Sequence, residues 1–177
     1  MNKHKRHYLS GFTLIETIVY IAIVSVFLVA IMSFSQRVIS AQTKADTMAE
    51  VQQNARFALE KMSQKIRSAR NINAESALDT NLVSGGLLHL DKNDSADDVY
   101  WQVIDGQLTE RIGATGTEQT LTNDLITVQN LTFFEIQNST NQSGLKIEFQ
   151  VSFNNPNNWQ EFDWDITLND TVMFRQP

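Results

Sequence analysis

The chain has 177 residues, a formal net charge of −6 and no cysteine. That length holds one domain plus an extended element, and the missing cysteines exclude disulfides, thiol catalysis and thiolate metal sites. The acidic balance argues against nucleic acid as the main partner.

The charge is unevenly placed. Before Glu16 the only charges are Lys3, Lys5 and Arg6. From Arg37 to Arg70 there are seven Lys or Arg against three Asp or Glu, and from Asn71 onward four against sixteen. A basic tail, a mildly basic middle and a strongly acidic C-terminal half therefore follow one another. The acidic half repels phosphate, which argues against direct DNA capture.

Residues 12–32 are apolar apart from Glu16 and a few polar groups, Thr13, Thr17 and Ser25. A helix of that length reaches about 30 Å, the thickness of a hydrocarbon core. With the basic residues before it, the positive-inside rule puts the N-terminus in the cytoplasm and the acidic domain outside. A secretory signal peptide also starts basic, and Ser33-Phe34-Ser35 has the small-x-small form of a cleavage site. This run is longer than such an apolar region, however, and carries an acid near its cytoplasmic end. A charged side chain within lipid costs roughly 2.5–3.5 kcal/mol or more, and a plain anchor gives no reason to keep Glu16.

Gly11-Phe12-Thr13-Leu14-Ile15-Glu16, after a basic leader and before a membrane-length apolar run, resembles the type III signal of type IV pilins and type II secretion pseudopilins. The resemblance implies that a prepilin peptidase cuts between Gly11 and Phe12 and N-methylates Phe12. Glu16 then becomes the fifth mature residue, the family's assembly glutamate, paired with the terminal amine of a neighbouring subunit. Such a pair sets the stagger between helices, because a misregistered partner leaves a charge unanswered in apolar surroundings. The division implied is a cleaved cytoplasmic leader 1–11, a transmembrane and assembly helix 12–32, an amphipathic helix 33–72 continuing the spine, and an acidic antiparallel β domain 73–177.

Neither Gly nor Pro occurs between Phe12 and Ser84, so the strongest helix breakers are missing. From Met48 the residues Val51, Ala55, Ala58, Leu59, Met62, Ile66 and Ala69 continue one helical stripe. Glu50, Gln53, Asn54, Glu60, Lys61, Gln64 and Arg67 lie opposite it. A single helix ending near Ile72 is expected, about 90 Å long if unbroken. Gln53, Asn54, Arg56, Phe57, Ala58, Leu59, Ile66, Arg67 and Ala69 add a second resemblance, to minor pilins and J-type minor pseudopilins.

After residue 72 short alternating runs take over. "DVYWQVI" and "QLTERI" flank Asp105-Gly106, a hairpin signal. "LITVQNLTFFEI" and "LKIEFQVSF" flank the polar "QNSTNQSG", "NNPNN" makes another loop, and Asn169-Asp170 is read as a turn. In "EFDWDITL", Phe162, Trp164, Ile166 and Leu168 alternate with Asp163, Asp165 and Thr167. Six or seven strands in an antiparallel sheet, one face on the helix, give an α+β fold with a long N-terminal helix packed on a β domain.

No enzyme site and no cofactor emerge. His4 and His7 lie in the leader, and His89, a satisfied or exposed strand residue, lacks a partner at metal-ligand spacing. The acidic pair Asp163/Asp165 reads as a solvated strand face. Asp91, Asn93, Asp94, Asp97 and Asp98 make a weak calcium candidate. An EF-hand fits poorly, with Ala96 where glycine and Gln102 where glutamate belongs, so a solvated acidic loop is preferred. Asn130-Leu131-Thr132 and Asn141-Gln142-Ser143 match the glycosylation triplet, but modification is not expected.

The resemblance implies a minor pilin or pseudopilin, held in the cytoplasmic membrane and incorporated at or near the tip of an extracytoplasmic filament. Its implied partners are membrane lipid, other pilins or pseudopilins, the prepilin peptidase, and an assembly platform with a cytoplasmic ATPase. The alternative is a singly anchored surface receptor or adhesin whose β domain binds a ligand.

Overall fold

The computed structural model describes residues 11–137, 143–155, 162 and 164–175. The leader before Gly11, the first two residues of the Asn141-Gln142-Ser143 triplet, Asp163 and most of the "NNPNN" loop lie outside the described residues. The chain divides into two compact units, Met1–Thr43 and Lys44–Pro177.

One helix, α1, spans Leu14–Arg67. Its portion in the first unit exposes its apolar side chains, Phe12 just before it at 81 % and Leu14 at 79 %. Several hydroxyls there are satisfied within the helix. Thr17 Oγ1 donates to the Thr13 carbonyl at 3.2 Å, Ser25 Oγ to Ile21 at 2.7 Å and Ser33 Oγ to Val29 at 2.9 Å. Each of these three hydroxyls thus closes on the backbone four residues back.

In the second unit the helical stripe is buried as its spacing requires: Val51, Ala55, Ala58, Met62 and Ile66, with Ala69 just beyond the helix end. The helix stops at Arg67 and not at Ile72. Asn71–Ile72 instead form strand β1. Tertiary groups occupy the last carbonyls. Lys92 Nζ donates to the Lys65 carbonyl at 3.1 Å and Arg175 N–H to that of Arg67 at 3.2 Å. The Ala69 N–H bonds back to Ile66 at 3.0 Å, tightening the final turn.

The described residues hold eight strands in two antiparallel sheets, where a single sheet of six or seven was expected. The first sheet orders β1, β2 (Leu88–Asp91), β3 (Val99–Ile104), β4 (Gln107–Ile112) and β5 (Gln119–Thr120). The second orders β6 (Ile126–Gln137), β7 (Ser143–Phe153) and β8 (Asp165–Met173). The Asn169-Asp170 turn is corrected: both residues lie inside β8, paired with Glu148 and Ile147 of β7. Asp170 is held there by the Ser63 hydroxyl of α1, 2.5 Å from Oδ2. The one-sided strand begins at Asp165, so Phe162 stands outside it, while Trp164, Ile166 and Leu168 pack on the core.

The Asp105-Gly106 hairpin forms as read. φ is 51° at Asp105 and 75° at Gly106, the two positive angles of a type I′ turn. Its tip docks on the other sheet, where Val128 N–H donates to the Gly106 carbonyl at 2.7 Å. A bulge between Val128 and Asn130 then shifts the phase of β6. It lets Ile126 and Val128 before it, and Leu131 and Phe133 after it, all face inward. The two sheets and the helix share one core, with Trp101 of β3 stacked on Phe133 of β6 at 6.1 Å between ring centroids.

Candidate functional site

The start of α1 is where the sequence concentrates its one unusual charge. Thr13 precedes the first helical residue and acts as its N-cap. Its Oγ1 accepts from the Glu16 N–H at 3.4 Å. Thr13 and Glu16 occupy the first and fourth positions of a capping box, a local role that the spacing Thr-x-x-Glu displayed and the sequence reading passed over. Only half of the box is made, because the Glu16 carboxylate does not reach back to Thr13. Among the described residues that carboxylate has no hydrogen-bond or ion-pair partner. It is exposed on a helix where the neighbouring Thr17 and Ser25 hydroxyls are satisfied. Its position in the first turn places the negative charge at the positive end of the helix dipole.

Gly11 and Phe12 sit immediately before this cap in non-helical backbone, both exposed. A glycine–phenylalanine bond there is accessible and outside the helical hydrogen-bond ladder. The helix that follows is long and apolar enough to cross a membrane.

The loop candidates for calcium separate in the structure. Asp91 and Asp98 come together with His89, their ligand atoms lying within 4.8 Å of one another. Asp94 instead caps the short turn Ser95–Asp97, its Oδ1 accepting from Ala96 N–H at 3.0 Å. Asn93, Asp94 and Asp97 line a cleft with Lys65 and Lys92. Lys92 is held below its ordinary lysine pKa, first by burial and then by the Lys65 ammonium, against the pull of Asp97 and Glu110. His89 is buried and acid-flanked, a juxtaposition that i, i+2 spacing on one strand with Asp91 foreshadowed but the lone-histidine reading missed.

The remaining candidates have local partners. Asp165 accepts from Gln150 Nε2 at 2.7 Å across the β7–β8 pair. Asn130 accepts from the Thr132 hydroxyl at 2.8 Å, and Thr132 is buried.

No curated protein and no solved structure matches the chain. A family model described as the prokaryotic N-terminal methylation motif matches residues 7–32. The match takes in Gly11, Phe12, Thr13 and Glu16 and runs to the end of the apolar stretch. The motif with its apolar helix fits a membrane-anchored protein. The chain carries the signal of the type IV pilin and pseudopilin family.

Proposed function

We propose that the protein is a minor pilin or pseudopilin, a structural subunit without catalytic activity. In this reading prepilin peptidase cuts between Gly11 and Phe12 and methylates Phe12. The subunit then sits in the cytoplasmic membrane with its N-terminus inside and its β domain outside, and enters a pilus-like or secretion filament at or near the tip. Other pilins, an assembly platform and its ATPase complete the partners. The supporting observation is the Glu16 carboxylate, which has no partner among the described residues although it stands on an apolar helix. In lipid such a group requires a cation, and the ammonium created at Phe12 of a neighbouring subunit supplies one.

Two measurements test the reading. Mass spectrometry of the mature chain finds methylated Phe12 at the N-terminus; an intact leader instead leaves a singly anchored receptor or adhesin. Glu16→Gln keeps a polar side chain of the same length and removes the charge, whereas Glu16→Ala removes both. Both variants are cleaved normally and fail to co-purify with the filament. Normal incorporation of Glu16→Gln sinks the charge-pairing role.

A further inference from the structure

His89, Asp91 and Asp98 gather on the outer face of the first sheet. Leu88 and Leu90 of β2 and Val99 and Trp101 of β3 turn into the core, so His89 and Asp91 alternate to the other side of β2. Asp98 precedes β3, next to the residue paired with Leu90. His89 Nε2 lies 3.5 Å from Asp91 Oδ1 and 3.3 Å from Asp98 Oδ2. Bonds of about 2.0–2.1 Å from one ion to tetrahedrally placed nitrogen and oxygen ligands separate those ligands by about 3.3–3.4 Å. Those two separations suit one small cation, and the three ligand atoms all lie within 4.8 Å of one another.

Each ligand is also oriented by its surroundings. Asp98 uses its second oxygen to accept from Lys92 N–H at 2.8 Å, and its own carbonyl takes the Gly113 N–H at 2.7 Å. Gly113 has φ 73°, and a Cβ there would stand 2.8 Å from the Ala96 carbonyl oxygen, so this approach requires glycine. Asn73 Nδ2 donates to Asp91 at 3.0 Å. The His89 ring stacks on Tyr100 at 4.1 Å, fixing its plane. Such support orients the ligands of metal sites. Among the described residues no Lys or Arg pairs with either carboxylate. Asp91 is one-third exposed, leaving a side for ion entry and water.

We infer that His89 Nε2, Asp91 and Asp98 form a binding site for a divalent d-block cation, with zinc as its natural probe. The imidazole favours such an ion over calcium or magnesium, which prefer all-oxygen shells. The buried His89 Nδ1 has no hydrogen-bond partner. Once Nε2 binds an ion, Nδ1 must carry the proton without an acceptor, so affinity falls about 10–100-fold below that of a fully supported site.

The test is calorimetry of the full chain in detergent micelles with zinc chloride, in a His4→Gln/His7→Gln background that removes the other two histidines. One zinc binds per chain and raises the Tm. Asp91→Asn and Asp98→Asn keep an acceptor for Asn73 and Lys92, retain the metal-free Tm, and weaken zinc at least tenfold; His89→Gln abolishes binding. Absence of heat at millimolar zinc, binding unaltered in the asparagine variants, or calcium taken in place of zinc each overturns the assignment.

Discussion

Replacing Trp101 with Phe tests whether the β domain's core is held by polar matching as well as by packing. Trp101 is fully buried, and its indole N–H donates to Glu110 Oε1 at 3.2 Å. Glu110 itself is only 5 % exposed. Phe fills the six-membered part of the indole site, against Phe133, and leaves the rest vacant, a packing loss of about 1–2 kcal/mol. The lost bond to a buried carboxylate adds about 1.5–3 kcal/mol. Trp101→Phe should therefore cost about 3–5 kcal/mol, a large share of a stability of about 5–15 kcal/mol. The assay is urea unfolding of residues 44–177, which contain every buried core side chain among the described residues, followed by far-UV circular dichroism. A cycle with Glu110→Leu separates the two contributions. If the indole–carboxylate bond is what matters, the single costs fail to add by about 1–2 kcal/mol. Additive costs, or a loss below about 1 kcal/mol, refute the reasoning.

Two further outcomes follow from local geometry. Gly106→Ala places a side chain at φ 75° with its Cβ 2.9 Å from Thr127 Cγ2, and should lower stability by about 1–2 kcal/mol. Thr127→Ser removes that methyl and recovers part of the loss in the same urea assay; an unchanged midpoint for Gly106→Ala contradicts the turn argument. Lys92 has a folded pKa lowered from 10.5, chiefly by burial. The unfolded chain therefore binds that proton more tightly, and stability rises with pH from the lowered value up to 10.5. Wild type should gain stability relative to Lys92→Met across that window, and parallel pH profiles count against it.

What the sequence displayed was whatever local chemistry decides. The helical stripe from Val51 to Ile66 is fixed by side-chain period, and the hairpin by the αL tolerance of Asp105-Gly106. The end of the helix was illegible because no breaker residue sets it. Lys92 and Arg175, distant in sequence, satisfy the carbonyls of Lys65 and Arg67. Asn169-Asp170 has turn chemistry, yet β7 pairing and the Ser63–Asp170 bond draw it into β8. The division into two sheets likewise depends on long-range pairing, though the bulge left a trace in the switch from Ile126 and Val128 to Leu131 and Phe133. His89 looked isolated because its second carboxylate, on Asp98, comes from across a strand connection that no spacing rule encodes.

The N-terminal signal was legible for a different reason: its chemistry is compressed into six consecutive residues. That compression also lets Glu16 serve two levels of structure. Thr13 and Glu16 mark the helix start, and a negative charge in the first turn is favourable there, by about 0.3–1 kcal/mol at an exposed site. That gain is smaller than the roughly 2.5–3.5 kcal/mol that a charge costs within lipid. Local capping therefore does not by itself account for a carboxylate in this position, because the one capping bond uses the Glu16 backbone N–H, which any residue but proline supplies. In the proposed function the remainder comes from outside the chain, and the terminal ammonium that cleavage would create at Phe12 of a neighbour has the sign to supply it. On this argument Glu16→Gln keeps the helix start and loses the neighbour, so the sharpest difference between wild type and variant appears in co-purification and not in helix content.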